Sequence, residues 1–216
     1  MKVGILGTGV VGDTLGTKIA SLGHEVKMGS RSATNEKALA WQKKAGAKAS
    51  VGTFADAATF GEILFNCTSG KGALEALKLA GAANMKGKVL VDVSNPLDFS
   101  RGFPPSLTVC NTDSLAEQIQ RAYPETKVVK SLNTVSAPVM IEPGKVANGE
   151  HTIFVCGNDG GARGKVKEIL TGWFGWKHVM DLGDITTARG TEMYLALWVE
   201  MFGVNQSPMF NVHVVK

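Results

Sequence analysis

The chain has 216 residues, a formal net charge of +4, 44% hydrophobic residues and 19% charged ones. This length suits one α/β domain with a modest extension, or one large portion and one small. Lys and Arg form no run, which argues against nucleic-acid binding, and no apolar segment reaches the roughly 18 to 20 residues that span a bilayer.

The first thirty residues organise the rest. Lys2–Leu6 is a short apolar run that reads as a core strand rather than a signal peptide. Gly7-Thr8-Gly9-Val10-Val11-Gly12 follows at once, then a helical pattern with apolar Leu15, Ile19, Ala20 and Leu22. Gly23 closes that helix, and Glu25–Met28 reads as a second strand. Strand, glycine turn, helix and strand in this order place a pyrophosphate on a helix N-terminus. Gly7 permits the tight turn, Gly9 lets the backbone approach the phosphates, and Gly12 allows close packing of helix and strand. The second strand exits into Gly29-Ser30-Arg31, where an NAD site usually carries Asp or Glu. A guanidinium over a small hydroxyl suits a 2′-phosphate, which a carboxylate would repel. The expected cofactor is NADP, the competing reading being that Arg31 is a solvated loop residue.

Further along, Thr34–Ala45 reads as a helix stopped by Gly46, Ala47–Val51 as a third strand, and Thr53–Thr59 as a short helix capped by Thr53. Glu62–Cys67 is an apolar strand ending in Thr68-Ser69-Gly70, and Gly72–Ala80 is helical. Lys88–Val93 is the fifth strand, ending in Ser94-Asn95-Pro96. A proline-bearing loop then leads to a helix at Ser114–Ala122 and to a sixth strand, Lys127–Leu132, ending in Asn133-Thr134. Alternating strands and helices predict a Rossmann-type, doubly wound, mostly parallel sheet. Ligands of such sheets sit at the strand carboxyl ends, which singles out Thr8, Ser30, Thr68, Ser69, Ser94, Asn95, Asn133 and Thr134. The second half continues with a strand at Thr152–Cys156, a helix at Ala162–Leu170, the aromatic turn Trp173–Trp176 and an edge strand at Lys177–Met180. Thr186–Phe202 is apolar nearly all round, so it needs cover from its own domain or a second subunit. Met209–Val215 alternates loosely and reads as a last strand. The division expected is a nucleotide-binding portion, residues 1–180, and a small C-terminal portion, residues 181–216, that completes the substrate site or a dimer interface.

No acid–base or metal chemistry announces itself. His24, His151, His178 and His213 are scattered, without partners at metal-ligand spacing, and there is no GxSxG or Walker A sequence. Cys67, Cys110 and Cys156 lie more than forty residues apart, as free thiols of a cytoplasmic protein would. Hydride transfer between a nicotinamide and a second redox ring needs no general acid or base; it needs two ring faces held together and water kept out.

On these motifs the chain resembles the F420-dependent NADP oxidoreductase family, as a bacterial member. The resemblance runs through Gly7–Gly12, Leu22–Val26, Gly29–Arg31, Lys127–Thr134, Val155–Asp159, Asp181–Gly183 and the helix that contains Arg189. It implies a Rossmann domain with a small C-terminal portion, a homodimer, and hydride transfer between NADP(H) and the deazaflavin coenzyme F420. It implies that Thr8, Ser30 and Arg31 hold the 2′-phosphate and that the backbone of Ala137 meets the nicotinamide carboxamide. The expected cofactor-binding set is Gly7, Thr8, Gly9, Val10, Val11, Gly12, Ser30, Arg31, Thr68, Ser69, Asn95 and Ala137. The acceptor-side candidates are Asn95 and Asn133. Two departures concern that acceptor side: Asn133 stands where the archaeal enzymes have histidine, and Ser94–Asp98 differs from their pattern. The cytosolic domains of the Steap ferric reductases resemble this family too and use NADPH with a flavin. Three readings stay open: an NADPH:F420 oxidoreductase, a reductase of a flavin, quinone or ferric chelate with the same cofactor site, and a non-catalytic NADPH sensor.

Overall fold

The computed structural model describes residues 1–215; residue 216, the last of the expected C-terminal portion, lies outside them. The N-terminal unit is built as the glycine spacing predicts: β1 (Lys2–Leu6), α1 (Val10–Ser21) and β2 (Glu25–Ser30), with Gly23 at φ +89° turning the chain between helix and strand. Leu22 is exposed past the last helical residue and does not belong to the buried face. There follow α2 (Glu36–Ala45), β3 (Ala49–Thr53), α3 (Phe54–Phe60), β4 (Ile63–Asn66), α4 (Gly70–Ala80) and β5 (Val89–Asp92). Thr53 caps α3 in a reciprocal pair: its hydroxyl accepts from the Asp56 amide while the Asp56 carboxylate accepts from the Thr53 amide. The second half adds α5 (Leu115–Ala122), β6 (Lys127–Ser131), α6 (Ala137–Ile141), β7 (Thr152–Cys156), α7 (Gly160–Phe174), β8 (His178–Asp181) and α8 (Ala188–Asn205).

The strands form one eight-stranded sheet in the order β8-β7-β6-β5-β4-β1-β2-β3, parallel throughout except where β7 pairs antiparallel with β6. Register lines up Gly29, Leu6, Asn66, Asp92 and Lys130 as one row near the carboxyl ends of β2, β1, β4, β5 and β6. Each sheet face has its own apolar core, because strands covered on both sides must be apolar on both. One contains Leu15 and Ile19 of α1, Trp41 of α2, Met140 of α6 and Phe174 of α7. The other contains Phe54 of α3, Leu77 of α4, Ile119 of α5 and Ala188 of α8.

Three features depart from the sequence expectation. The proline-bearing loop folds into a two-stranded hairpin, Leu97–Asp98 against Ser106–Leu107, too short for a period-2 pattern to register. The five residues of α6, beginning Ala137-Pro138, form a helix too brief to reveal a 3.6-residue period. The tail is not a strand. Its one backbone bond to β7, Thr152 amide to Val212 carbonyl, is joined by side-chain bonds from Asn211 to the Thr152 carbonyl and from the Val214 amide to the Thr152 hydroxyl. A single backbone rung makes no ladder, whatever the alternation of the side chains.

Candidate functional site

At the carboxyl end of the sheet, a cavity of about 240 Å³ is lined by Gly7, Thr8, Gly9, Ser30, Arg31, Thr68 and Ser69, with Phe54 and Ala76 below. A second, of about 460 Å³, is lined by Val11, Thr68, Ser69, Lys71, Ser94, Asn95 and Phe99. Sharing Thr68 and Ser69, the two make one elongated cleft across β2, β1, β4 and β5. Val10 faces a separate groove between α1 and α2, and Gly12, Asn133 and Ala137 line none of these three spaces.

The glycines differ in what they permit. Gly7 has φ +123°, and a Cβ there would meet the Cys67 carbonyl oxygen at 2.7 Å. At Gly12 a Cβ would lie 2.2 Å from the Gly7 carbonyl oxygen, so its smallness closes the turn onto α1. At Gly9 it would meet nothing within 4 Å. Gly9 is also the N-cap of α1 and offers no side chain to the first-turn amides, which leaves them for an anion. A further tight approach escaped the sequence reading: a Cβ on Gly70 would sit 2.0 Å from the Asn95 carbonyl oxygen, which welds the start of α4 to the β5 exit.

Arg31 is exposed and takes part in no ion pair among the described residues. Ser30 is buried, and its hydroxyl donates to the Ser32 carbonyl at 2.6 Å while accepting from the Ser32 amide at 3.2 Å. It therefore shapes the loop that carries Arg31. The donor set of this end, a free guanidinium with the Thr8 hydroxyl and the helix amides, fits the phosphates of NADP(H).

Beneath the cleft floor lies a buried polar network that the sequence did not reveal. Lys130, which reads as one polar position in an apolar strand, is 1% exposed. Its ammonium donates to Asp92 at 2.8 Å, to Glu192 of α8 at 2.8 Å and to the Ser94 carbonyl at 2.5 Å. Burial alone would push Lys130 down, but the two carboxylates beside it outweigh that and hold it above its ordinary value. Glu192 accepts in addition from the amides of Leu115 and Ala116, capping α5 from another helix. Asp92 accepts from Asn66 and from the Ser94 hydroxyl, and Asn66 accepts from the Thr68 hydroxyl at 2.7 Å. The chain of contacts thus runs from the cleft wall at Thr68 to the C-terminal helix. At Cys67, beside it, burial and the nearby Asp92 push the thiol far up, which favours its protonated form.

The acceptor-side candidates come together as a pair. Asn95 donates to the Asn133 carbonyl at 2.8 Å, and Asn133 donates to the Asn95 side chain and to the Thr191 carbonyl, both at 3.0 Å. Their amides tie the β5 exit, the β6 exit and α8 into one corner. Leu132, buried at φ +64°, supplies the left-handed turn that directs Asn133 and Thr134 over the sheet. Beyond this corner a cavity of about 230 Å³ opens between the β6 turn and α8. Ala137 stands at the first position of α6, and the preceding Ser136 hydroxyl is held by the Pro208 carbonyl of the tail.

Residues 2–96 match the family model described as NADP oxidoreductase, coenzyme F420-dependent. A crystal structure from Arthrobacter sp. FB24, described as a candidate F420-dependent NADP reductase, is 45% identical with a TM-score of 0.95, each chain covering 100% of the other. The chain belongs to the F420-dependent NADP oxidoreductase family. As a member of that family it is an NADP-dependent oxidoreductase, and NADP(H) is its cofactor. It is also 28% identical over 191 residues to the metalloreductase STEAP3 of Rattus norvegicus, matching 88% of this chain and spanning 36% of that protein. A reductive aminase from Aspergillus terreus shares the fold, at 21% identity and a TM-score of 0.65 over 95% of this chain and 62% of its own. No helix of the described residues is long and apolar enough to cross a membrane.

Proposed function

We propose that this NADP-dependent oxidoreductase transfers a hydride between NADP(H) and the deazaflavin coenzyme F420. The observation that carries the reading is the cleft itself. It runs from Arg31, unpaired among the described residues, past the open face of Gly9 to the Asn95–Asn133 corner, and a further cavity continues between the β6 turn and α8. In this reading the amides of Val10, Val11 and Gly12 hold the pyrophosphate, Thr8 and Arg31 hold the 2′-phosphate on the loop set by Ser30, and Gly7 supplies the turn. Thr68, Ser69, Asn95 and the Ala137 backbone flank the nicotinamide end, and Asn95 with Asn133 fixes the acceptor side. NADPH, when bound, supplies the hydride, two electrons with one hydrogen; the reduced acceptor takes its second proton from water. The side chains of the corner are amides and hydroxyls, which orient rings and exclude water without moving a proton. Residues 1–180 form the nucleotide-binding portion, and the portion from residue 181 onward completes the acceptor side.

The same portion supplies the contact for a second copy. α8 leaves Met193, Leu197 and Val204 exposed at 38%, 56% and 84%, an apolar stripe at helical spacing that suits a homodimer interface. A flavin, ferric chelate or quinone as acceptor is the second reading; the 28% identity to a metalloreductase favours a metal-reducing variant of it. Anaerobic NADPH oxidation, followed at its own absorbance with F420 and FMN offered separately, tests both. Turnover with F420 is the expected result. Turnover with FMN alone would overturn the F420 assignment and leave the cofactor in place.

A further inference from the structure

We propose that His151 is a pH-sensitive latch: its neutral ring holds the C-terminal tail, residues 207–215, against the start of β7, and protonation releases it. The inference goes beyond the hydride-transfer reading above and does not depend on which acceptor is used.

The ring is 2% exposed and makes two hydrogen bonds that together place its proton. Nε2 lies 2.9 Å from the Pro143 carbonyl, which can only accept, so Nε2 carries the hydrogen. Nδ1 lies 2.8 Å from the Asn211 side-chain nitrogen, which also reaches the Thr152 carbonyl at 2.9 Å. That carbonyl decides how the amide is turned, since the opposite setting would put oxygen against oxygen. Asn211 therefore donates to Nδ1, and Nδ1 carries no hydrogen. A second proton would point from Nδ1 into the Asn211 amino group. Turning the amide would offer that proton the Asn211 oxygen, which is buried and has no partner among the described residues, but would take the donor away from Thr152. Neither setting serves a charged ring and a docked tail at once.

The charged neighbours do not relieve the conflict. Glu150, next in the chain, is taken by Lys177 at 2.6 Å and by His178 at 2.8 Å. Near the Pro143 carbonyl, Glu142 pairs with Lys145. Trp176 meets the His151 ring edge-on, with centroids 5.0 Å apart and planes at 86°. On the tail, His213 Nδ1 lies 3.3 Å from the Thr152 hydroxyl, which can donate or accept, so this exposed ring suits either charge state. A proton on His178 would strengthen its pair with Glu150. Of these three histidines, only His151 has a proton in conflict with docking. Docking is therefore favoured above the histidine range and lost as pH falls through it. The tail bears on two places near the β6 turn: Val212 walls the cavity there, and the Pro208 carbonyl accepts from Ser136 ahead of α6. Release uncovers both.

The test is hydrogen–deuterium exchange of the full chain across the histidine range, with each rate corrected for the intrinsic pH dependence of exchange. From about pH 7.5 to 5.5, protection of residues 207–215 and of the Thr152 amide should fall about tenfold, the change in the neutral share of a solvated imidazole. Protection in β1 and β4 should hold. His151→Gln, which cannot take up the charge, should show no such fall, whereas His178→Gln and His213→Gln should keep it. Nitrogen-15 shifts of the wild-type His151 ring at the higher pH should show a protonated Nε2 and a bare Nδ1. The proposal is overturned by wild-type tail protection that ignores pH, or by an equal loss in β1 and β4. It is overturned equally by a His151→Gln protein that keeps the fall, by either other variant that abolishes it, or by a proton on Nδ1 in the docked state. If His151→Gln does not fold, the wild-type exchange, the two other variants and the nitrogen shifts decide.

Discussion

A side chain added at Gly9 would meet no protein atom within 4 Å, whereas one added at Gly12 would lie 2.2 Å from a backbone oxygen. The fold therefore tolerates bulk at Gly9, whereas a pyrophosphate bound there would not. Gly9→Val is expected to keep the wild-type circular dichroism and thermal midpoint while losing measurable affinity for both NADPH and NADH; retained binding would move the pyrophosphate elsewhere. In the proposed 2′-phosphate contact, Arg31 separates the two cofactors. Its guanidinium pairs with no carboxylate among the described residues and stands at the exit of β2, so Arg31→Ala should weaken NADPH by about 2 kcal/mol, roughly thirtyfold, and NADH little. Equal losses in parallel fluorescence titrations would exclude a 2′-phosphate contact.

At the scale of elements, the packing of α8 on the sheet depends on charge. Lys130 holds Asp92 of β5 and Glu192 of α8 together where no solvent reaches. Lys130→Met leaves two carboxylates buried without their cation, which should cost about 3–5 kcal/mol in urea unfolding. Adding Asp92→Asn and Glu192→Gln to that variant should recover most of the loss. A single variant as stable as wild type would show that the pair contributes nothing. The start of α8 is fastened separately, by Arg189 to Glu117 of α5. The Arg189 guanidinium keeps the Glu117 carboxyl below its usual 4.5. A carboxyl depressed in the folded state contributes stability above its unfolded value and loses it as pH falls through the folded one. The urea midpoints of wild type and Glu117→Gln should therefore differ most above about pH 5 and converge in acid below pH 4.5. A gap that does not change with pH would mean that Glu117 acts by shape and not by charge.

For the whole molecule, the exposed stripe of α8, proposed above as a dimer contact, lies beside the cavity at the β6 turn, since Thr191 and Tyr194 line that cavity while Met193 and Leu197 are exposed. Leu197→Glu should halve the mass in sedimentation equilibrium if two copies meet there, because a carboxylate would be buried at the contact. An unchanged mass would place any dimer contact on another surface.

Read from residues alone, the chain declared its Rossmann unit, its cofactor end and most of its strands, because each rests on local signals. A glycine at a fixed offset, a cap such as Thr53 or an apolar run such as Ile63–Phe65 is complete within a few neighbours. The hairpin at 97–107, the five-residue α6 and the docked tail were not legible: two are too short for a period to repeat, and the third is held by Asn211 and Thr152, fifty-nine positions apart. The same holds for the site. Arg31 and Gly9 could be named as candidates because the signals for them lie in the strand and helix beside them. Lys130 and Glu192 could not, because a lysine in a strand or a glutamate in a helix acquires its meaning from what packs against it. Sequence by itself determined which dinucleotide the first half is shaped for. Only the tertiary structure decided which groups β6 and α8 would bury together at its far end, since burial and partnership are properties of contacts between segments distant along the chain.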